Sequence, residues 1–204
     1  MSFFILGATS SSSKYAEFSH VGTWRDTRTC DICGLTKQEL CSPLVIEWDT
    51  GSDLLGDISW CGWTAVVTHR VRDYMRKDKW PVMFSNVVVQ APSGRSRQLR
   101  IAYPYAGPRL YWLRPKECFS LDVAASHLRR ELECEQSKCG LSQWKFKSAD
   151  LVVSAAKSTS PLIFGLSQFN PGGMLFVSEK GIISLKAQGF QNLGFGLVGR
   201  FASK

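Results

Sequence analysis

The clearest pattern of hydrophobic and polar positions lies in "AVVTHRVRDYMRKDKWPVMFSNVVV", residues 65 to 89. A short apolar run ends at Val67, and Thr68 follows where a hydroxyl residue caps a helix. Val71, Tyr74 and Met75 then recur at helical spacing, and Trp80 precedes a second apolar run. The pattern predicts strand, helix and strand. A second segment, "LFVSEKGIISLKAQGFQNLGFGLVG" at 175 to 199, lies over the first without a gap, residue 65 above residue 175. Val177, Ser178 and Phe190 take the places of Val67, Thr68 and Trp80, and Ile182 and Leu185 repeat part of the apolar stripe. Few residues are identical, so the expectation is a β-α-β unit used twice as a structural repeat.

The remaining segments are read with less periodicity to guide them. "FFIL" and "PLVIEW" are strand-like pieces within residues 1 to 60, and "RLYWL" alternates bulky residues as a strand does. "SGRSRQLRIAYPY" reads as a turn leading into a strand, and "DVAASHLRRELECEQSKCG" as a helix from about Val123 to Leu132. "LVVSAAKSTSPLIFGLSQFNPGG" is read as irregular, with Asn170-Pro171-Gly172-Gly173 marking a turn. The order predicts an α+β fold in one domain, 1–204. Its mixed sheets carry two β-α-β repeat units, at about 58–90 and 172–200. A zinc-ribbon-like cysteine lobe is formed from about 25–45 and 115–147.

Composition adds little to this picture, whereas charge adds a question. With 44% hydrophobic residues among 204, including seven Trp and twelve Phe, aromatic burial is a main source of stability. No apolar run approaches the roughly 20 residues that span a bilayer. "FFILGA" has no basic residue before it and reads as a first strand, so the expected compartment is the cytoplasm. The net charge of +8 raises nucleic acid as a partner. The basic residues are dispersed, however, through "RDTR", "HRVRDYMRKDK", "RSRQLR" and "RPK", and acids interrupt several of these stretches. A solvated basic surface fits that dispersion better than a nucleic-acid groove, and an acidic protein partner suits the charge equally well.

Cysteines supply the one chemical motif. Cys30 and Cys33 bracket two residues and are followed by Gly34; Cys134 and Cys139 bracket four and are followed by Gly140. A short turn presents two thiolates to one metal, and two such turns complete the tetrahedron that zinc prefers. Glycine after each pair permits a tight backbone there. Cys30, Cys33, Cys134 and Cys139 are therefore read as ligands of a structural Zn2+, the second turn being stretched relative to the first. Cys41, Cys61 and Cys118 are read as core residues, and His127 as a residue on a helix face. No long helix follows Cys33 to lower a thiol pKa, which argues against a redox centre. His20, His69 and His127 have no neighbouring nucleophile in a recognisable pattern, and "GATSSSSK" lacks phosphate-loop spacing. The carboxylates of "EWDTGSDLLGD" read as a surface turn. The expectation is a protein that is not an enzyme.

Four pieces in order carry a family resemblance. They are the aromatic start Phe3 and Phe4 with Tyr15, His20 and the first C-x-x-C-G; the segment Gly56, Asp57, Trp60 and Trp63; "CEQSKCG"; and the closing "GGMLFVSEKGIISLKAQGFQNLGFGLVG". The chain resembles the double-CxxCG motif family, cysteine-rich myxobacterial paralogues that include immunity proteins against toxins delivered by cell contact. The resemblance implies no reaction. It implies a cytoplasmic bacterial protein that binds a cognate toxin and neutralises it. At this net charge the implied toxin has an acidic surface, or is blocked away from any nucleic-acid cleft. The contact face is expected at Arg70, Arg72, Arg76 and Lys77 on the first helix and at Arg95 and Arg97 in the following loop. The alternative is a zinc-ribbon nucleic-acid-binding protein that uses Arg95, Arg97 and Arg100.

Overall fold

The computed structural model describes residues 1–8, 14–22, 24–92, 101–133, 142–145, 150–154, 161–169 and 173–202, with backbone alone at 50–51, 129–133 and 142–145. In chain order the first strands are β1 (Ser2–Gly7), β2 (Ala16–His20), β3 (Trp24–Thr29), β4 (Thr36–Leu40), β5 (Leu44–Gly51), β6 (Ile58–Cys61) and β7 (Thr64–Thr68). Helix α1 (His69–Lys77) leads to β8 (Val82–Gln90), β9 (Leu110–Pro115), β10 (Cys118–Phe119), β11 (Arg129–Glu133) and β12 (Ser142–Lys145). The chain continues through β13 (Leu151–Val153), β14 (Ile163–Leu166), β15 (Phe176–Ser178), α2 (Glu179–Ala187) and β16 (Gly194–Phe201). The fold is thus made of mixed sheets, mostly β, with two helices among the described residues.

Six strands close a barrel in the order β2-β5-β8-β9-β7-β6. Six others form a sheet in the order β10-β14-β15-β1-β16-β13, and an isolated antiparallel bridge from Leu121 to Val153 draws its two edges together. Five strand pairings of the barrel have a pairing of the same sense in the sheet. β5 and β8 are parallel, as are β13 and β16; β2 and β6 are parallel, as are β10 and β14. The pairs β6-β7, β7-β9 and β8-β9 are antiparallel, and so are β14-β15, β1-β15 and β1-β16. In each assembly a helix crosses over one central antiparallel strand, β9 under α1 and β1 under α2. Each also carries a two-stranded hairpin between its first and second strands, β3–β4 in the barrel and β11–β12 in the sheet. The assemblies differ in where the central strand comes from. β9 follows β8 along the chain, whereas its counterpart β1 is supplied by the other end.

Burial on both faces explains why the central strands read as unbroken apolar runs. On β7, Val66 points into the barrel with Phe18, Ile46, Trp48 and Trp112, while Ala65 and Val67 point out against the helices. On β9, Trp112 and Leu110 face inward, and Tyr111 and Leu113 face Val71, Met75 and Leu185. The sheet has its own cluster, in which Phe3 meets Phe164 edge-on at 5.5 Å and Phe176 at 5.9 Å.

Local chemistry sets the helix ends. Ser178 caps α2 by accepting from the Gly181 amide at 3.3 Å. Thr68 occupies the same place before α1, but its hydroxyl makes no cap bond. The chain leaves α1 through Lys79 at φ 52° and α2 through Gly189 at φ 60°, both in the left-handed region that stops a helix. Gly181 lies against the Leu162 carbonyl, and a Cβ there would run into that oxygen. Gly181→Ala is expected to destabilise the protein by about 1–3 kcal/mol through overpacking, which urea unfolding would measure.

Two expectations are corrected. Residues 123–127 form turns instead of a helix, and the chain becomes strand β11 at Arg129. Asp122 accepts from the Ala125 amide, His127 turns left-handed at φ 49°, and Ser126 exchanges hydrogen bonds with both Val152 backbone groups. Those bonds hold the segment to β13 and leave no room for a helix to continue. The stretch read as irregular holds strands β13 and β14, whose apolar residues are buried without alternation. Within "SGRSRQLRIAYPY", residues 103–105 form a turn and residues 93–100 lie outside the described residues.

Candidate functional site

The cysteine motif begins on a hairpin that has almost nothing to bury. Every residue of β3 is exposed, and its contacts with β4 are backbone bonds and exposed side-chain bonds, among them Gln38 to Asp26 at 2.9 Å and Thr27 to the Lys37 carbonyl at 3.1 Å. An isolated two-stranded hairpin is marginal in water. At its tip the Cys30 amide donates to the Leu35 carbonyl and the Gly34 amide to the Cys30 carbonyl, each at 2.9 Å. Gly34 sits at φ 69°, so the turn needs its missing side chain. This tight turn carries Cys30 and Cys33 on the exposed end of the hairpin, a donor set that suits zinc.

Cys134 and Cys139 lie outside the described residues, in the connection between β11 and β12. Among the described residues no three His, Cys, Asp or Glu side chains gather as a metal site. The other cysteines are placed separately. Cys61 is fully buried, Cys41 half-buried and Cys118 exposed, which corrects the expectation of a core role for Cys118. Burial, and secondarily Asp49, pushes the Cys61 thiol up to about 12. In native protein at pH 7.5 a maleimide is expected to label Cys118 and to leave Cys61 unmodified, as peptide mass mapping would show.

The Gly56-Asp57-Trp60 segment fastens the barrel to the sheet. Asp57 accepts from Arg70 at 2.6 Å and from the Gln191 amide at 3.0 Å, while its backbone carbonyl takes the Thr68 amide. Trp60 donates from Nε1 to the Asn192 carbonyl at 3.3 Å. A Cβ on Gly56 would sit 2.8 Å from that of Asn192, so the close approach needs glycine. Trp63, by contrast, is exposed.

The expected contact residues fall into three groups. Arg70 is held by Asp57, by the Gln188 carbonyl at 2.7 Å and by the Phe190 ring at 5.0 Å, so it bridges the two assemblies. Arg72 is held by Asp73 and by the hydroxyl and ring of Tyr111. Arg76 and Lys77 are exposed, and Arg76 lies over Phe84 at 5.7 Å. Arg95, Arg97 and Arg100 lie outside the described residues.

Two cavities are notable. One, of about 490 Å³, lies where the end of β1 meets the barrel and is lined by Glu17, Ser19, His20, Asp49, Trp60 and Trp63 among others. Ser19 donates to Asp49 at 2.8 Å, so the hydroxyl hydrogen is directed to the carboxylate and not to His20. His20 stands 3.4 Å from the Thr64 hydroxyl, and burial pulls its pKa below the ordinary value. Below about pH 6.5 the unfolded chain binds a proton that folded His20 resists. The His20 contribution to stability is therefore complete above that pH and is lost as pH falls. His20→Gln is expected to flatten this slope in chemical unfolding measured from pH 7.5 to 5.

The second cavity, of about 620 Å³, lies at the end of α1 and is lined by Met75, Arg76, Lys79, Trp80, Val82, Met83, Phe84, Arg114 and Lys116. It holds four cations and no carboxylate. Of these only Arg76 was an expected contact residue; Lys79 follows the end of α1, and Arg114 and Lys116 lie on β9 and just beyond it, separated along the chain and joined by the β8–β9 pairing. No known protein-family model matches the chain, and no curated protein matches it. No helix among the described residues is long and apolar enough to cross a membrane.

Proposed function

We propose that this chain is a cytoplasmic, non-catalytic immunity protein that binds and neutralises a toxin delivered by cell contact, and that a structural zinc ion stabilises it. The observation that carries the reading is the pair of hairpins inserted at matching points of two matching sheets, each with a cysteine pair in its connection. That arrangement supports the double-CxxCG resemblance, with the two strand–helix–strand segments as copies of one unit. Cys30, Cys33, Cys134 and Cys139 would hold the zinc. A clip from the first hairpin to the second closes a loop of about a hundred residues, the long-range closure from which chain-entropy arguments predict the larger gains.

The partner would be a protein with an acidic surface, met by cations that enter no ion pair among the described residues. The test is protection. If a toxin gene adjoins this one, cells expressing it should survive when this protein is co-expressed and die when it is absent. Death in both cases would sink the reading. Binding of nucleic acid that depends on Arg95, Arg97 and Arg100 and weakens steeply with salt would favour the zinc-ribbon alternative instead.

A further inference from the structure

We propose that the groove at the end of α1 is a receptor for carboxylate side chains on an acidic segment of a partner protein. The identity of the partner rests on the immunity reading; the binding chemistry does not. Arg76, Lys79, Arg114 and Lys116 line one cavity, and none of them enters an ion pair among the described residues. The neighbouring α1 cations differ, since Arg70 and Arg72 are turned to Asp57 and Asp73. Asp78 and Glu117 are adjacent in sequence but do not line the cavity.

Two of the four cations stand where the matching sheet carries glycine. Lys79 and Gly189 each follow a helix by two residues and each adopt positive φ, at 52° and 60°. A lysine is strained in that conformation and a glycine is not, so Lys79 retains a charge where local structure alone favours glycine. Thr68 pairs with Leu110 on β9, and Ser178 pairs with Phe3 on β1. Four residues further along each strand stand Arg114 and Gly7. The groove therefore belongs to the barrel and is not a by-product of the shared topology.

Arg114 is already in place for an anion. Its guanidinium lies on Trp112 at 4.3 Å and donates to Ser85 at 2.6 Å, while its buried Nε has no hydrogen-bond partner among the described residues. A planar donor fixed in this way loses little freedom when a carboxylate docks. Trp80, Val82 and Phe84 add apolar surface for the methylenes of a glutamate. On α1 beyond the cavity Arg70 and Arg72 are turned to carboxylates and Lys77 is exposed, so the charge gathers mainly in the cavity, which suits an acidic protein segment better than a phosphate backbone.

The test measures anisotropy of fluorescein-labelled hexaglutamate and of a fluorescein-labelled DNA hexamer, each titrated with the full chain. Hexaglutamate is expected to bind, and Lys79→Gly and Arg114→Gln are each expected to weaken it at least about fivefold. Lys79→Gly should melt no lower than the parent, because glycine relieves the left-handed strain, so lost binding cannot be ascribed to unfolding. Lys186→Ala, which removes one charge from the matching helix, should leave binding unchanged. Equal loss in Lys186→Ala, no loss in Lys79→Gly, or tighter binding of the DNA hexamer with the same residue dependence would overturn the proposal. The two readings separate cleanly. A chain that binds hexaglutamate through Lys79 but fails to protect against the toxin keeps the groove and loses the immunity function. A chain that protects without binding hexaglutamate does the reverse.

Discussion

Asp57→Ala is expected to destabilise the protein by about 2–3 kcal/mol, from the loss of hydrogen bonds to a charged acceptor. For a chain of this size that lowers the melting temperature by about 4–12 °C. The Asp57 side chain is only 12% exposed, and one of its oxygens collects both the Arg70 guanidinium and the Gln191 amide. Arg70 is 51% exposed and regains water when the carboxylate is removed, so the ion pair alone contributes modestly. The rest comes from the Gln191 amide at the junction, which loses the Asp57 carboxylate as its acceptor. Calorimetry of Asp57→Ala, Arg70→Ala and the double variant should give a coupling of about 1 kcal/mol or more, as close charged partners do. A single variant that melts within a degree of the parent would show that the junction is held without it.

Chelation is expected to give the second large effect if the chain holds the proposed zinc. If the four cysteines hold one ion, the purified protein contains one zinc per chain, and Cys30→Ser and Cys134→Ser each abolish it while Cys41→Ser does not. Free zinc at a thousand times its dissociation constant stabilises the folded state by about 4 kcal/mol. Chelation is therefore expected to lower the melting temperature by about 8–16 °C. The effect should concentrate on β3–β4, whose exposed side chains bury no core of their own, and hydrogen exchange after chelation should be fastest there. A metal-free preparation with all four thiols titrating and a melting temperature indifferent to chelator would remove zinc from the account.

Parts of the fold were legible because their signals are local. The stripe at Val71, Tyr74 and Met75 lies on a real helix, as do Ile182 and Leu185, since apolar spacing near 3.6 residues does not depend on the partner that covers it. "RLYWL" reads correctly as β9 because bulky residues grouped over so short a span mark a strand. The Val123–Leu132 segment misled because its helical pattern competes with bonds to Val152, which is distant in sequence. Strands β13 and β14 were hidden because they are only three and four residues long and burial on both faces erases the alternation that marks a strand. At the candidate sites, C-x-x-C-G is visible in sequence because one tight turn carries it. The basic groove is not, since Lys79 and Arg114 meet only through the pairing of β8 with β9.

By itself, then, the sequence determined the two strand–helix–strand segments, the tight cysteine turn and the excess of positive charge, all set by neighbours within a few residues. Only the tertiary structure decided that β1 crosses to the far end of the chain and becomes the central strand between β15 and β16. It alone decided which cations are consumed at the Asp57 junction and which are left facing an open groove. Those outcomes depend on long-range strand pairing, whose backbone hydrogen bonds are the same for every residue type.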